Sequence, residues 1–344
     1  MLKKKVAVLG ATGIIGQTII NLLEDHPWFT IEALVASKSS AGGKYSEKCR
    51  WILSDPMPES VKDMEILDVD SALDTPILFS ALDSSVADEI ETAYRQKGHI
   101  IVSNSSNHRM DSDVPLIIPE VNPDHLQLIN NDSDGGWEVT NPNCSAVVIA
   151  LALAPISIEF GIEQVFVVTM QSSSGAGYPG VSFLDLSGNI IPFINGEEPK
   201  IEKEISKILG SFEDKKIVDY SCDVSVQTNR VPVTYGHMVS LFITTKTTPD
   251  VERIKDLLRN FSGIPQERNL PIAPKHPIYL GENSFRPQPR LDVDQENGMA
   301  ITVGRVEKVN ANAVRMVALG HNTIRGGAGS AILNAELLHS EGMI

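Results

Sequence analysis

Residues 141–145 read Asn-Pro-Asn-Cys-Ser and lead straight into the apolar run AVVIALALAPI. A thiol at the junction of a turn and a helix start is placed for nucleophilic chemistry. It attacks a carbonyl as the thiolate, and a helix N-terminus favours the anion and lowers the thiol pKa. Cys144 is therefore the first candidate for a covalent catalyst. Cys222 falls in the alternation Tyr220, Cys222, Val224, Val226, which reads as strand packing. Nothing around Cys49 separates it from an ordinary semi-buried thiol. Three such widely spaced cysteines make neither a disulfide framework nor a CxxC metal pattern, and they fit an intracellular, reducing location.

A second candidate lies at the chain start, where Gly10-Ala-Thr12-Gly13-Ile14-Ile15-Gly16 follows the apolar stretch KKKVAVLG and opens a helical pattern. Glycines there allow a tight turn and let backbone N–H groups approach a pyrophosphate at the helix N-terminus. An NAD site ends its next strand in an acid for the ribose 2′-hydroxyl. Here that strand ends in Ala36-Ser37-Lys38-Ser39-Ser40. Hydroxyls and a lysine suit a 2′-phosphate, so NADP is the expected cofactor. Ser84 and Ser85, after TPILFSAL, are expected cofactor neighbours by position.

These groups need a scaffold. Residues 1–143 alternate short apolar runs with helical patterns, such as TIEALVAS, HIIVSNSS and VADEIETAYRQKG, which predicts an α/β Rossmann-like domain with a parallel sheet. From about 160 the strands QVFVVTMQSSSG, VDYSCDVSVQTNRVPV, MVSLFITTKT and MAITVGRVEKV alternate with period two, as in a mixed, largely antiparallel sheet. EEPKIEKEISKILG and DVERIKDLLRNF are the accompanying helices. The end of the chain is a Gly-rich loop and a helix with one apolar face at Ala328, Ala331, Ile332, Ala335 and Leu338. At 344 residues the chain suits two domains.

Net charge of −15 argues against nucleic acid or an anionic membrane as partner, and no apolar run is long enough for a membrane span. The start MLKKKVAVLGATGII mimics a signal peptide, but its spaced glycines and amphipathic continuation read as strand, turn and helix. HExxH, clustered Cys/His spacing and a P-loop lysine are all missing, so no metal is expected.

Taken in order, GATGIIG, SNSSNHRM, NPNCS, QSSSGAGYPG, EEPK and RVPVTYGH resemble aspartate-β-semialdehyde dehydrogenase of the archaeal and fungal branch, from about residue 5 to 340. The resemblance implies reversible, NADP-dependent interconversion of L-aspartate 4-semialdehyde plus phosphate with L-4-aspartyl phosphate. That is the second step of the aspartate pathway to lysine, threonine, methionine and isoleucine. It implies Cys144 as nucleophile, His237 as general acid–base, and Gln171 orienting the substrate near the thioester. Arg230 would clamp the substrate carboxylate, Arg109 and Lys200 the phosphate, and Glu198 the ammonium, with Glu197 its competitor should the alignment slip by one. Ser174 and Gly175 would lie near the nicotinamide, and Asn322 would touch NADP. The domains would be 1–143, joined by the helix 324–344, and 144–323 for catalysis and dimerisation. A cytoplasmic homodimer or homotetramer is implied.

Rivals on the same scaffold are malonyl- or succinyl-CoA reductase and N-acetyl-glutamyl-phosphate reductase. The first differs around the cysteine, and the second has glycine before and an aromatic after it, where this chain has Asn143 and Ser145. A non-catalytic NADP sensor would lack the cysteine or the histidine, and both are present.

Overall fold

The structure is a computed structural model that describes residues 2–129 and 135–344. Its strands in chain order are β1 (Lys4–Leu9), β2 (Phe29–Ala36), β3 (Ile66–Asp68), β4 (Ile77–Ser80), β5 (Ile100–Ser103), β6 (Glu138–Thr140) and β7 (Ile162–Gln171). There follow a hairpin of β8 (Ser211–Glu213) and β9 (Lys216–Val218), then β10 (Asp223–Arg230), β11 (His237–Thr245), β12 (Ile278–Gly281), β13 (Ile301–Lys308) and β14 (Ala313–Gly320). The longer helices are α1 (Ile14–Leu23), α2 (Ser84–Gln96), α3 (Cys144–Phe160), α4 (Glu197–Ile208), α5 (Val251–Arg259) and α6 (Gly329–Ser340).

The first six strands form one sheet in the order β3-β2-β1-β4-β5-β6, with every neighbouring pair parallel. Strands covered on both faces read as unbroken apolar runs, which is why KKKVAVLG lacks alternation. Val6 and Val8 face a core shared with α1 and α6, whereas Ala7 and Leu9 face the opposite core, where Tyr94 of α2 packs.

The last helix departs from its sequence pattern. Residues 329–338 are buried on all sides, not along one face. Its polar residues bring partners with them: Glu336 pairs with His26 at 2.7 Å, and Asn334 donates to Asn141 Oδ1 at 2.9 Å. A paired polar group can be buried without an apolar side chain in its place.

The second sheet runs β10-β7-β11-β14-β13-β12. β11 lies antiparallel to β7 and β14, and β13 antiparallel to β14, while the edge pairs β10–β7 and β12–β13 are parallel. One face is covered by α3, α4 and α5, whose Leu151, Leu153, Ile205 and Leu258 join Val165, Val239 and Val314 in one core. Each such fully buried side chain stabilises the fold by ~1.5–3 kcal/mol. Among the described residues no helix covers the other face at Phe166 and Phe242, which pair in register and are 49% and 43% exposed.

A glycine-rich turn, Ile324–Ala328, leads into α6. Arg325 pins it, donating from Nη1 and Nη2 to Glu120 Oε1 and Oε2 at 3.0 and 2.6 Å, with both side chains fully buried. Removing one partner of such a pair strands the other charge. Glu120→Gln is expected to destabilise the protein by about 3–5 kcal/mol, read as a lower denaturant midpoint at unchanged slope. An unchanged midpoint would show that Arg325 has another acceptor.

Candidate active site

Asn143 caps α3, its Oδ1 accepting from the N–H groups of Ser145 and Ala146 at 2.8 and 3.2 Å. That cap sets Cys144 at the first helical position. The same residue ties the turn to α4. Its Nδ2 donates to Glu197 Oε1 at 2.7 Å, and its backbone N–H donates to Glu204 Oε2 at 2.6 Å. On the other side a Cβ at Gly326 would lie 2.6 Å from Cys144 Cβ, so only glycine fits.

Cys144 keeps some accessible surface, yet burial pushes its thiol up, to about 12. The Glu197 carboxylate pushes the same way, while Arg109, Arg230 and the Ser145 N–H pull it down. The helix start therefore does not make a resting thiolate, as its position in sequence suggested. Desolvating a charge outweighs a helix dipole worth ~0.3–1 kcal/mol.

His237 begins β11 and is fully buried. Its Nδ1 accepts from the Ser172 N–H at 3.1 Å, and Nε2 has no partner among the described residues. An N–H donating to Nδ1 puts the ring proton on Nε2. Burial, then the Arg230 charge, holds this imidazole down to about 3. The ring is then neutral, with an Nε2–H that has no partner among the described residues.

Arg230 ends β10, and its Nη1 donates to the Ser172 carbonyl at 2.8 Å, the one hydrogen bond its side chain makes among the described residues. Gly175 lies against both groups: a Cβ there would sit 2.8 Å from Arg230 Nη1 and from His237 Cε1. Asn322 joins these pieces, accepting from Ser172 Oγ and the Gly236 N–H at 3.0 and 2.9 Å and donating to Ser174 Oγ at 2.8 Å. Ser172 itself was not singled out from sequence, since its neighbours in QSSSG look alike.

The two glutamates of EEPK part company. Glu197 Oε1 accepts from Asn143 Nδ2 and, at 3.4 Å, from Gln171 Nε2, beside the thiol. Glu198 turns the other way and accepts from the Thr228 N–H at 2.9 Å, fastening α4 to β10. The residue facing the site is thus Glu197, and Glu198 is a correction to the expected register. Glu197→Gln removes a negative charge beside Cys144, so alkylation of the thiol by iodoacetamide at neutral pH is expected to quicken by about 3- to 10-fold. Glu198→Gln should leave that rate unchanged, and an equal effect of both would contradict the assignment.

Arg109 donates to Glu204 Oε1 at 2.9 Å and to the Asn104 carbonyl at 2.6 Å, and it borders the cleft that holds Cys144. Lys200 is exposed and does not line that cleft; it shares a neighbouring groove with Arg109 and Lys203.

The cleft, of about 660 Å³, runs from Gly10, Thr12, Gly13, Ile14 and Ile15 past Ser174, Gly175 and Asn322 to Cys144. Gly10 has φ +76°, and a Cβ on it would strike the Ala81 carbonyl oxygen at 2.4 Å. Gly13 caps α1 with no side chain, leaving the first N–H groups to a ligand. Gly16 does not line the cleft; it lets α1 pack on the turn, where a Cβ would meet the Gly10 carbonyl oxygen at 2.2 Å. Beyond β2, Ser37 lines the cleft and its Oγ meets Ser39 Oγ at 2.9 Å. Lys38 is paired with Asp70 at 2.7 Å, Ser40 closes the turn onto the Ser37 carbonyl, and neither lines the cleft. Ser84 and Ser85 also lie off it, at the exposed start of α2 behind a wall of Ala81, Leu82 and Asp83.

The family described as semialdehyde dehydrogenase, NAD binding domain, matches residues 5–129, and the semialdehyde dehydrogenase dimerisation domain matches residues 153–325. The aspartate-semialdehyde dehydrogenase of Archaeoglobus fulgidus is 44% identical, with all of both chains covered. The crystal structure of aspartate semialdehyde dehydrogenase with NADP from Candida albicans superposes with a TM-score of 0.93 at 36% identity, again over all of both chains. A malonyl CoA reductase (NADP) of Metallosphaera sedula is 38% identical over 99% of this chain and 98% of its own. The chain belongs to the aspartate-semialdehyde dehydrogenase family.

Proposed function

We propose that the protein is an NADP-dependent aspartate-semialdehyde dehydrogenase that reversibly converts L-4-aspartyl phosphate into L-aspartate 4-semialdehyde and phosphate, with the acyl group carried on Cys144. One observation bears most of the weight. The cleft that begins at the uncapped start of α1 ends at Cys144, where Arg230, His237 and Glu197 converge.

The glycine turn suits the pyrophosphate, and the hydroxyls of Ser37 and Ser39 suit a 2′-phosphate, with Lys38 exchanging Asp70 for it. NADP, when bound, carries the hydride. The remaining chemistry belongs to the chain. Cys144, its proton lost to solvent and its charge held by Arg109 and Arg230, attacks the acyl carbon. The carbon–oxygen bond to phosphate breaks, phosphate departs, and a thioester remains on sulfur. Arg230 receives the substrate carboxylate and Glu197 its ammonium. His237 Nε2–H donates to the carbonyl oxygen as negative charge grows there, the role of a neutral hydrogen-bond donor. Once the thioester is reduced, the carbon–sulfur bond breaks, the aldehyde leaves and the thiolate is restored.

The CoA-thioester reductase reading has a relative of its own. A malonyl group carries no ammonium, so Glu197 would lack a partner there, and this favours the amino-acid substrate. The test is reduction of NADP⁺ by L-aspartate 4-semialdehyde with and without phosphate, beside NADPH oxidation by malonyl-CoA. Phosphate-dependent turnover of the semialdehyde supports the proposal; turnover of the CoA thioester alone sinks it.

The open face of the second sheet, with Phe166 opposite Phe242, is where a second copy would pair. A shift of Phe242→Glu to monomer in sedimentation would support that. The three cysteines are free, which suits a cytoplasmic setting.

A further inference from the structure

Away from this cleft, at the edge of the first sheet, three buried ligating side chains converge. Glu91 comes from α2, His108 from the loop after β5, and Glu138 from the first residue of β6. One ligand atom from each lies within 4.8 Å of the others. Their side chains are 0%, 7% and 0% exposed. Glu91 Oε2, His108 Nε2 and both carboxylate oxygens of Glu138 make no hydrogen bond among the described residues. Buried polar atoms almost always find partners. Four without one, on three side chains that meet, mark a place built for something else.

The surroundings already have the form of a metal site. The His108 Nδ1 lies 2.9 Å from Asp111 Oδ2, which places the ring proton on Nδ1 and leaves the Nε2 lone pair facing the carboxylates, 3.9 Å from Glu91 Oε2. A carboxylate behind the far nitrogen is the usual support of a ligating imidazole. Ser103 Oγ donates to the other oxygen of Glu91 at 2.7 Å and holds that carboxylate in place. Asp88 Oδ1, on the exposed rim, lies 3.4 Å from His108 Nε2 and offers both a fourth oxygen and a way in. Arg95 Nη1 stands 3.9 Å from Glu138 Oε2, too long for a hydrogen bond.

We propose that Glu91, His108 Nε2 and Glu138 bind one divalent first-row transition ion, of the Zn²⁺ or Mn²⁺ class, that clamps α2, the loop after β5 and β6 together. One imidazole and two carboxylates suit these ions. Ligand atoms around bound zinc stand about 3.3 Å apart, so the three side chains close by roughly 1 Å or less on average when the ion enters. The two carboxylates balance the charge of the dication. The clamp sits beside Arg109, so it would also steady the guanidinium at the catalytic cleft.

The test uses full-length Cys144→Ala protein, which removes the thiol of the catalytic cleft, after chelator treatment. It is titrated with Zn²⁺ and with Mn²⁺ by calorimetry, and its metal content is measured. The expected result is one tightly held ion per chain with a higher melting temperature. Affinity should fall by ~10-fold or more in Glu138→Gln and by about 10- to 100-fold in Asp111→Asn. Glu138→Gln keeps the shape of the side chain and removes one of two buried carboxyl groups that meet there, so the metal-free variant should melt at or above its parent. No stoichiometric uptake by the Cys144→Ala protein, or uptake unaltered by both substitutions, would overturn the proposal.

Discussion

Replacing Cys144 with Ala is expected to lower kcat by about 10⁴-fold or more while NADPH still binds. The reason is chemical and local. No other thiol reaches the cleft: Cys49 is buried among residues of the first sheet, and Cys222 packs at the start of β10. The cofactor groups are independent of the sulfur, since the uncapped start of α1 and the Ser37 hydroxyl lie at the other end of the cleft. Loss of turnover with unchanged NADPH fluorescence titration is therefore the expected pair of observations. A variant that keeps even a hundredth of the activity would mean that the acyl group travels by another residue.

The second large effect belongs to His237. Removing a donor aimed at a developing oxyanion costs about 10²- to 10³-fold in kcat, and His237→Ala should fall in that range. The pH profile separates a neutral donor from a titrating base. With the imidazole held down to about 3, kcat/KM of the wild type should show no limb near the ordinary histidine pKa. A limb there that vanishes in His237→Ala would reinstate the general base. The same shift has a stability consequence with a defined sign. The folded pKa lies below the 6.5 of an unperturbed histidine, so the unfolded chain binds the proton more readily. The resulting stability is fully present above about pH 6.5 and is lost as pH falls toward 3. His237→Ala should flatten acid unfolding over that window.

Much of this site is written locally. Gly10 needs a left-handed backbone, Gly13 an open helix start and Cys144 a capped first turn, and each condition involves only a few consecutive residues. That is why the spacing GATGIIG and the stretch NPNCS point to residues that line one cleft. Rotation of a helix is a different matter. Glu197 and Glu198 are adjacent in the first turn of α4, so their side chains point about 100° apart. Which one faces Cys144 depends on how α4 lies against β10, through the bond from Thr228 to Glu198.

Environment was equally out of reach. A helix N-terminus favours a thiolate, but Gly326 pressing on Cys144 comes from 182 residues further along the chain, and only the folded chain reveals how far it desolvates the sulfur. The histidine at the end of RVPVTYGH stands out by its place in a motif, whereas its tautomer is set by the Ser172 backbone. Lys38 read as a free cation because Asp70, on the far side of β3, is invisible as its partner until the strands align. The Glu91, His108 and Glu138 cluster draws on three segments spread over 48 residues, with no motif spacing to betray it.

The acyl group on Cys144 is open to one direct measurement. L-Aspartate 4-semialdehyde and NADP⁺ are mixed with enzyme in the absence of phosphate, NADPH formation is followed through the first turnover, and the protein is then examined by mass spectrometry. The expected result is a burst of NADPH stoichiometric with active sites, an aspartyl group in thioester linkage to Cys144, and its release as L-4-aspartyl phosphate when phosphate is added. No burst, or an adduct on any other residue, would contradict the mechanism.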